Sequence, residues 1–249
     1  MALAKHNTVV IVGRSSTTKD VAVSIGADFY RTDYADLKTV RKLAADLLKK
    51  YPLIDLLINN AGGAMRSMSK TKDGFERTIQ VNYLAQFLLT ELLMERLIKS
   101  KAAIINTSSS AHKISHLRVE NIESARLPMI AYGNSKLLDL IHAKELARRY
   151  SNKGVDAVSF HPGVLATNFA SSSGSTFGIM ANSFIRKLLK TPEQGADTLV
   201  WLATNRKLWE DGAYYYKRQT SSTNYIGSDV DSHKIIWNST EKLLDISTK

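Results

Sequence analysis

Apolar positions follow two alternating periods along the chain. Thr8-Val9-Val10-Ile11-Val12, followed by Gly13-Arg14, is a β-branched apolar run ending in a turn, which predicts a buried strand. Ala27-Asp28-Phe29-Tyr30-Arg31 predicts a short second strand. From Asp36 to Lys50 the spacing changes: Leu37, Val40, Leu43, Leu47 and Leu48 recur at helical intervals, and Pro52 stops the helix. Leu53 to Ile58 is then nearly all apolar, as strands covered on both faces of a parallel sheet are. The same alternation continues with a helix over about Gly74 to Lys99, a strand at Ala102 to Thr107, a helix over about Ala131 to Tyr150 and a strand at Val155 to Phe160. Strand and helix taking turns requires crossover connections, so the predicted class is α/β with a doubly wound parallel sheet.

Further on, Thr191-Pro192-Glu193-Gln194 is a helix start, with a threonine cap and proline at the first position, for a helix reaching Thr204. Gly212 to Tyr216 predicts a last aromatic strand, and Asp229 to Leu244 a terminal amphipathic helix carrying Ile235, Ile236, Trp237 and Leu243-Leu244. No repeat, linker or low-complexity tract interrupts this order, so residues 1–249 are read as one domain.

Composition narrows the class without changing it. The 44% hydrophobic and 23% charged content is ordinary for a soluble domain. With no cysteine there is neither a disulfide scaffold nor a thiolate metal site, and no metal-ligand set is expected. No run approaches the roughly 20 apolar residues of a membrane span, and no signal peptide precedes the first strand, so a cytoplasmic location is expected. Lysine and arginine exceed aspartate and glutamate by 34 − 23 = 11. The cations are scattered at Lys49-Lys50, Lys99 to Lys101, Arg148-Arg149 and Arg186 to Lys190, where they end amphipathic segments with no interleaved aromatic row. That reads as a solvated surface and not as a nucleic-acid interface.

Candidate chemistry gathers at strand ends. Tyr132 and Lys136, in Tyr132-Gly133-Asn134-Ser135-Lys136, stand four apart on one helix face. A phenol with a pKa near 10 is a poor acid or base at neutral pH, and a neighbouring ammonium stabilises its phenolate. Asn59-Asn60-Ala61-Gly62, Asn106-Thr107-Ser108-Ser109 and His161-Pro162-Gly163 end three successive strands in polar or small residues, at the carboxyl edge where open α/β sheets bind ligands.

These segments, with Asn82 in Val81-Asn82-Tyr83, resemble the short-chain dehydrogenase/reductase family in order and separation, from about residue 8 to the C-terminus. The interval between Ser109 and Tyr132 is longer than the family's usual one. That interval, with Ser110-Ala111-His112, Glu145-Leu146-Ala147 and His161-Pro162-Gly163-Val164, is most similar to the retinol-dehydrogenase-like branch. The resemblance implies a Rossmann-type fold and a nicotinamide-dependent oxidoreductase interconverting a carbonyl and an alcohol. Tyr132 would protonate the carbonyl oxygen in reduction or act as base in oxidation, and Ser109 would hydrogen-bond the same oxygen. Lys136 would favour the Tyr132 phenolate and hold the nicotinamide ribose, and Asn82 would position a water relaying protons to Lys136. The hydride belongs to the cofactor.

For the cofactor, the resemblance matches Asp33 to an aspartate beside the adenine, Asn60, Ala61 and Gly62 to the adenine ribose, and Pro162, Gly163, Val164 and Thr167 to the nicotinamide carboxamide. Asp36 is read as the cap of the following helix. Arg14 directly follows a strand, where an arginine accommodates a 2′-phosphate, so NADP is expected over NAD. Residues 168–190 fall where the family keeps a substrate lid, and their Phe177, Ile179, Met180 and Phe184 suggest a small apolar substrate. A homo-oligomer is compatible with the sequence.

Other motifs fail on their chemistry. Gly13 to Asp20 imitates a phosphate-binding loop but has Thr18 in place of the second glycine and Asp20 in place of the magnesium-binding hydroxyl. His112 and His116 lack the glutamate of a zinc-protease motif and are read as exposed loop histidines.

The family's glycine-rich turn, Thr-Gly-x-x-x-Gly-x-Gly, has no counterpart in residues 1–30, where Gly13 and Gly26 are the only glycines. Val9 to Arg14 matches the family's second strand instead, and the first βα unit is expected to be lacking. In a 3-2-1-4-5-6 sheet that strand is interior. Its neighbours should therefore either pair with each other or face a gap, with weak cofactor binding in both cases and an inactive binding protein as the alternative function.

Overall fold

A computed structural model describes residues 3–163 and 192–246 of the chain. The anticipated lid, Val164, Thr167 and the Thr191 cap lie outside these residues. Strand β1 (Val10–Gly13) is followed by a helix the hydrophobic pattern did not announce, α1 (Ser16–Ser24). Ser15 caps it by accepting the Thr18 N–H at 3.1 Å. Only Ala22 of α1 is buried, and Val21 and Val23 face outward, so there is no apolar stripe for the sequence to reveal.

Strand β2 (Asp28–Arg31) leads to α2 (Leu37–Lys50), capped by Asp36 as expected: its carboxylate accepts from the Lys38 N–H. Leu37, Val40, Leu43, Ala44 and Leu47 form the buried face of α2, and Lys49 and Lys50 sit favourably at its carboxyl end. Strand β3 (Leu56–Asn59) starts later than the apolar run because Leu53 is half exposed. The helix expected over 74–99 is interrupted: one α-turn α3 (Arg77–Ile79), a π-helical turn (Gln80–Leu84), then α4 (Ala85–Lys99). Strand β4 (Ala103–Thr107), α5 (Pro128–Tyr150) and β5 (Asp156–His161) follow, α5 starting early because Pro128 suits the first helical turn. The described chain ends with α6 (Pro192–Thr204), β6 (Tyr214–Tyr216), an unanticipated β7 (Gln219–Thr220), and α7 (Val230–Leu243) capped by Asp229.

The parallel sheet is present, in two parts. β1 pairs only with β2, in parallel. β3, β4, β5 and β6 form a second parallel set in that order, with β7 antiparallel at the edge. Among the described residues no ladder joins β1 to β3, so these two strands do not close up against each other. Val10–Gly13 and Leu56–Ile58 are accordingly only partly buried, whereas Ala103 to Asn106 of the central β4 are fully buried.

One core layer nevertheless spans both parts. Val10, Val12, Tyr30 and Leu57 pack on the cluster formed by α2, α4, α5 and α7, which includes Val40, Leu88, Ile104, Leu137 and Trp237. The pleat sends alternate residues to the other face, where Ile105, Val158, Phe160 and Tyr215 meet Leu202 of α6. No helix among the described residues is long and apolar enough to cross a membrane.

Candidate active site

The carboxyl ends of β3, β4 and β5 are held in register by polar side chains. Asn59, Asn106 and Ser159 are aligned partners across the three strands. Buried Asn59 donates through Nδ2 to Asn106 Oδ1 at 3.0 Å and to Thr90 Oγ1 at 3.1 Å. Asn106 Nδ2 donates in turn to the Asp139 carbonyl at 3.0 Å and lies 3.2 Å from His142 Nδ1. Strand ends are thereby tied to α5, the helix that carries Tyr132 and Lys136.

Asn82 sits fully buried in the π-helical turn, a geometry that often marks functional sites and that helical periodicity cannot show. Its amide grips the loop after β3: Oδ1 accepts the Gly63 N–H at 3.0 Å, and Nδ2 donates to the Gly63 carbonyl at 3.1 Å and to Ser135 Oγ at 2.9 Å. Gly62 has φ +155°, and a Cβ there would lie 2.8 Å from Asn82 Oδ1 and 3.6 Å from Lys136 Nζ. Only glycine allows this approach of loop, amide and ammonium.

Lys136 is buried, and its Nζ donates to the Thr107 carbonyl and to Asp139 Oδ2, both at 2.9 Å. Nζ lies over the Tyr132 ring, 5.8 Å from its centre, so the two side chains share one side of α5. Tyr132 itself is 9% exposed, at the margin of the core.

The two strand-end serines divide their tasks. Ser108 is buried and donates to the Lys136 carbonyl at 2.6 Å, which fixes β4 to α5. Ser109 is half-buried, and its hydroxyl caps the short 3-10 turn Ser110–Ile114 by accepting the Ala111 N–H at 3.2 Å. That turn lies directly on α5, because Gly133 has no side chain to hold it off: a Cβ there would be 2.9 Å from the Ala111 carbonyl. Asn134 adds a second tie, accepting from Ser115 Oγ at 2.9 Å and from the His116 N–H at 3.0 Å. Gly133 and Asn134 thus bring the Ser109 turn against the helix of Tyr132, a role their sequence position alone did not signal.

His112 corrects the expectation of two exposed histidines. It is fully buried, with Nδ1 2.7 Å from the Ser109 carbonyl and its ring edge-on to Tyr214, and burial lowers its pKa. The 3-10 turn packs on α5, which sets the His112 ring against Tyr214 of β6. His116 is exposed.

The cofactor candidates are more dispersed. Arg14 and Asp33 lie side by side after β1 and β2, with Nη1 4.0 Å from Oδ1, and Asp33 also accepts the Ala35 N–H at 3.0 Å. Asn60, Ala61 and Gly62 are exposed at the end of β3, and Asn60 Oδ1 accepts from Thr107 Oγ1 at 2.9 Å. Pro162 and Gly163 are half-buried beyond β5, Gly163 with φ +90°. Lys136 Nζ spends two of its three N–H bonds within the chain, on the Thr107 carbonyl and Asp139, and the remaining donor suits a hydroxyl-rich ligand such as the ribose of a dinucleotide. Among the described residues no group of histidine, aspartate and glutamate could hold a metal ion.

A polar edge on parallel strands, backed by a buried lysine beside a tyrosine, lies where open α/β sheets bind their ligands. The chain belongs to the short-chain dehydrogenase/reductase family: the family model "short chain dehydrogenase" matches residues 1–177. It is 36% identical over 249 residues to the Streptomyces sp. (strain C5) protein described as "Putative daunorubicin C-13 ketoreductase DnrU", covering 95% of this chain and 84% of that one. It is 34% identical over 220 residues to retinol dehydrogenase 11 of Mus musculus, covering 87% of this chain and 69% of the relative. A crystal structure of an uncharacterized protein from Mycobacterium paratuberculosis superimposes with a TM-score of 0.75 at 26% identity, covering 97% of this chain and 85% of the other. A short-chain dehydrogenase/reductase of unknown function from Caenorhabditis elegans, solved with cofactor, shares the fold at TM-score 0.65 and 22% identity, covering 84% of each chain. The protein is therefore a short-chain dehydrogenase/reductase by descent, in a family that works with NAD(P).

Proposed function

We propose that the chain is an NADP-dependent oxidoreductase that interconverts a carbonyl and an alcohol on a small apolar substrate, with Tyr132 as acid and base. The observation carrying this reading is the convergence of buried Asn82, Lys136 and Tyr132 with the Ser109 turn at one sheet edge. Bound NADP supplies or accepts the hydride. Ser109 and Tyr132 hold the substrate oxygen; Tyr132 gives it a proton in reduction and takes one in oxidation. Lys136 holds the nicotinamide ribose and keeps a positive charge beside the phenol, while Asn82 fixes the loop through Gly63 and serves the proton relay to Lys136. Asn60, Ala61, Gly62, Pro162 and Gly163 line the cofactor, and Arg14 meets the 2′-phosphate. The names of the relatives, retinol dehydrogenases and a ketoreductase, support carbonyl–alcohol chemistry.

The test is a titration with NADPH and NADH followed by nicotinamide fluorescence, with Tyr132→Phe and Arg14→Ala as companions. Saturable NADPH binding is expected, weakened about 10-fold by Arg14→Ala with little change for NADH. Tyr132→Phe should still bind while turnover drops about 100-fold or more. Absence of saturable binding to either nucleotide defeats the proposal.

A second reading, a catalytically silent relative with impaired cofactor binding that serves as a binding protein or has no function, is favoured by the divided sheet. In this type of fold the pyrophosphate rests on a glycine-rich turn following an interior strand, and no strand lies between β1 and β3 among the described residues. The same titration separates the two readings.

A further inference from the structure

The sequence pattern singled out Lys136 but not its partner. Lys136 and Asp139 lie three apart on α5 with side chains only 5% and 2% exposed, and Nζ donates to Oδ2 at 2.9 Å. An ammonium has three N–H bonds. One goes to Asp139 and one to the Thr107 carbonyl, which leaves one for a bound ligand.

Among the described residues, Asp139 is the carboxylate that pairs with Lys136. Tyr83 of the π-turn feels the charge of Asp139, together with Glu91 of α4 and Glu145 of α5, and Tyr132 acts on Lys136; His142, on the same helix, shares the Asn106 amide with the Asp139 carbonyl. Burial lowers His142 to about 3, so its ring is neutral; burial raises Glu91 to about 8, so it keeps its proton at neutral pH; burial also raises Tyr83. For Lys136, burial opposes the charged form, but attraction to Asp139 first, with that of Tyr132, outweighs it and holds the lysine above its ordinary value. Asp139 is raised to about 6, by burial first and against the pull of Lys136, so the pair is ionised above that pH.

We propose that Asp139 is a positioning residue for Lys136: its carboxylate keeps the buried lysine an ammonium across the working pH range and fixes two of its three N–H bonds, leaving one for the ligand. The catalytic consequence rests on the oxidoreductase reading above; the ionisation itself does not.

The experiment follows Lys136 directly, through the ¹³Cε and ¹⁵Nζ signals of lysine-labelled protein assigned by their loss in Lys136→Arg, in the full chain and in Asp139→Asn. Asparagine keeps the volume and an acceptor oxygen but removes the charge. Without the carboxylate, burial prevails, and the Lys136 midpoint should fall by about one unit or more. The pH profile of NADPH-dependent turnover should then acquire an alkaline fall at the same midpoint that the unsubstituted chain lacks. A Lys136 midpoint unchanged by Asp139→Asn overturns the proposal. If that variant does not fold, the unsubstituted chain decides: its Lys136 signals must move as Asp139 takes up its proton near pH 6, and signals indifferent to that step overturn the proposal. A shifted lysine midpoint in a chain that never oxidises NADPH upholds the role of Asp139 and refutes the oxidoreductase reading, so the two failures are distinct.

Discussion

Gly62→Ala tests whether the site is built around the close approach of loop and amide. Two costs arise. An alanine at φ +155° enters a backbone region natural to glycine alone, worth about 1–3 kcal/mol. Its Cβ would also stand 2.8 Å from Asn82 Oδ1, so the Asn82 amide must move and give up some of its three hydrogen bonds to Gly63 and Ser135. At about 1 kcal/mol for each bond lost, this second cost is about 1–3 kcal/mol. The sum of about 2–6 kcal/mol corresponds to a drop in Tm of roughly 4–24 °C for a chain of this size. Thermal unfolding by circular dichroism gives the total, and a double-mutant cycle with Asn82→Ala separates the parts. With Asn82 truncated there is no amide left to displace, so Gly62→Ala should then cost only the backbone term, and the coupling energy should be about 1–3 kcal/mol. A Gly62→Ala penalty identical in both backgrounds, or an unchanged Tm, refutes the reasoning.

The strand-end serines should separate cleanly. Ser108→Ala loses a buried hydrogen bond to the Lys136 carbonyl and should cost about 1 kcal/mol in urea unfolding with turnover largely kept, while Ser109→Ala should lower turnover about 100-fold with little loss of stability. For His142, the unfolded chain takes a proton near pH 6.5 that the folded chain refuses until about 3, so stability falls as pH drops through that window. Urea unfolding at pH 7, 6 and 5 should show this fall in the unsubstituted chain and a smaller one in His142→Phe; equal slopes would exclude the buried neutral ring. Glu145 is pushed up by burial, but its hydrogen bonds to Arg148 and Arg149 outweigh this and hold it below the usual range. The stability it adds is present above about pH 4.3 and is lost as pH falls through its lowered value. Glu145→Gln should cost about 2 kcal/mol at neutral pH, less than the ~3–5 of a fully buried pair because the Arg148 side chain is 42% exposed, and acid titration of the variant should lack this component.

The elements and the site differ in how far they could be read from the chain. Buried strands and amphipathic helices were legible because burial writes a period into the sequence: α2 and α7 fall within a residue or two of their expected limits. Helix α1 was not legible because it buries a single residue and leaves Val21 and Val23 outside. The π-turn was hidden for a different reason. A five-residue widening inside a helical pattern keeps nearly the same apolar spacing, yet it is what turns Asn82 toward Gly63. His112 was misplaced because a polar residue in a serine-rich loop reads as exposed, and only the tertiary packing of that loop on α5 and Tyr214 buries it.

The divided sheet shows why residue types can announce a chemistry without announcing its ligand. Asn82, Ser109, Tyr132 and Lys136 depend on β3 to β5 and on α5, a block whose ladders are complete and whose polar strand ends are mutually bonded. Arg14 and Asp33 depend on β1 and β2, which join that block through side-chain packing and hydrogen bonds such as Gln80 Nε2 to the Tyr34 carbonyl, and not through a strand ladder. A ladder fixes strand ends in register residue by residue, which the β1–β3 junction lacks. The proposed reacting end thus sits on a fully laddered block, and the proposed 2′-phosphate end on the two-stranded part. It follows that substitutions at Arg14 should act mainly on nucleotide affinity, while substitutions at Asn82 or Lys136 should act mainly on turnover.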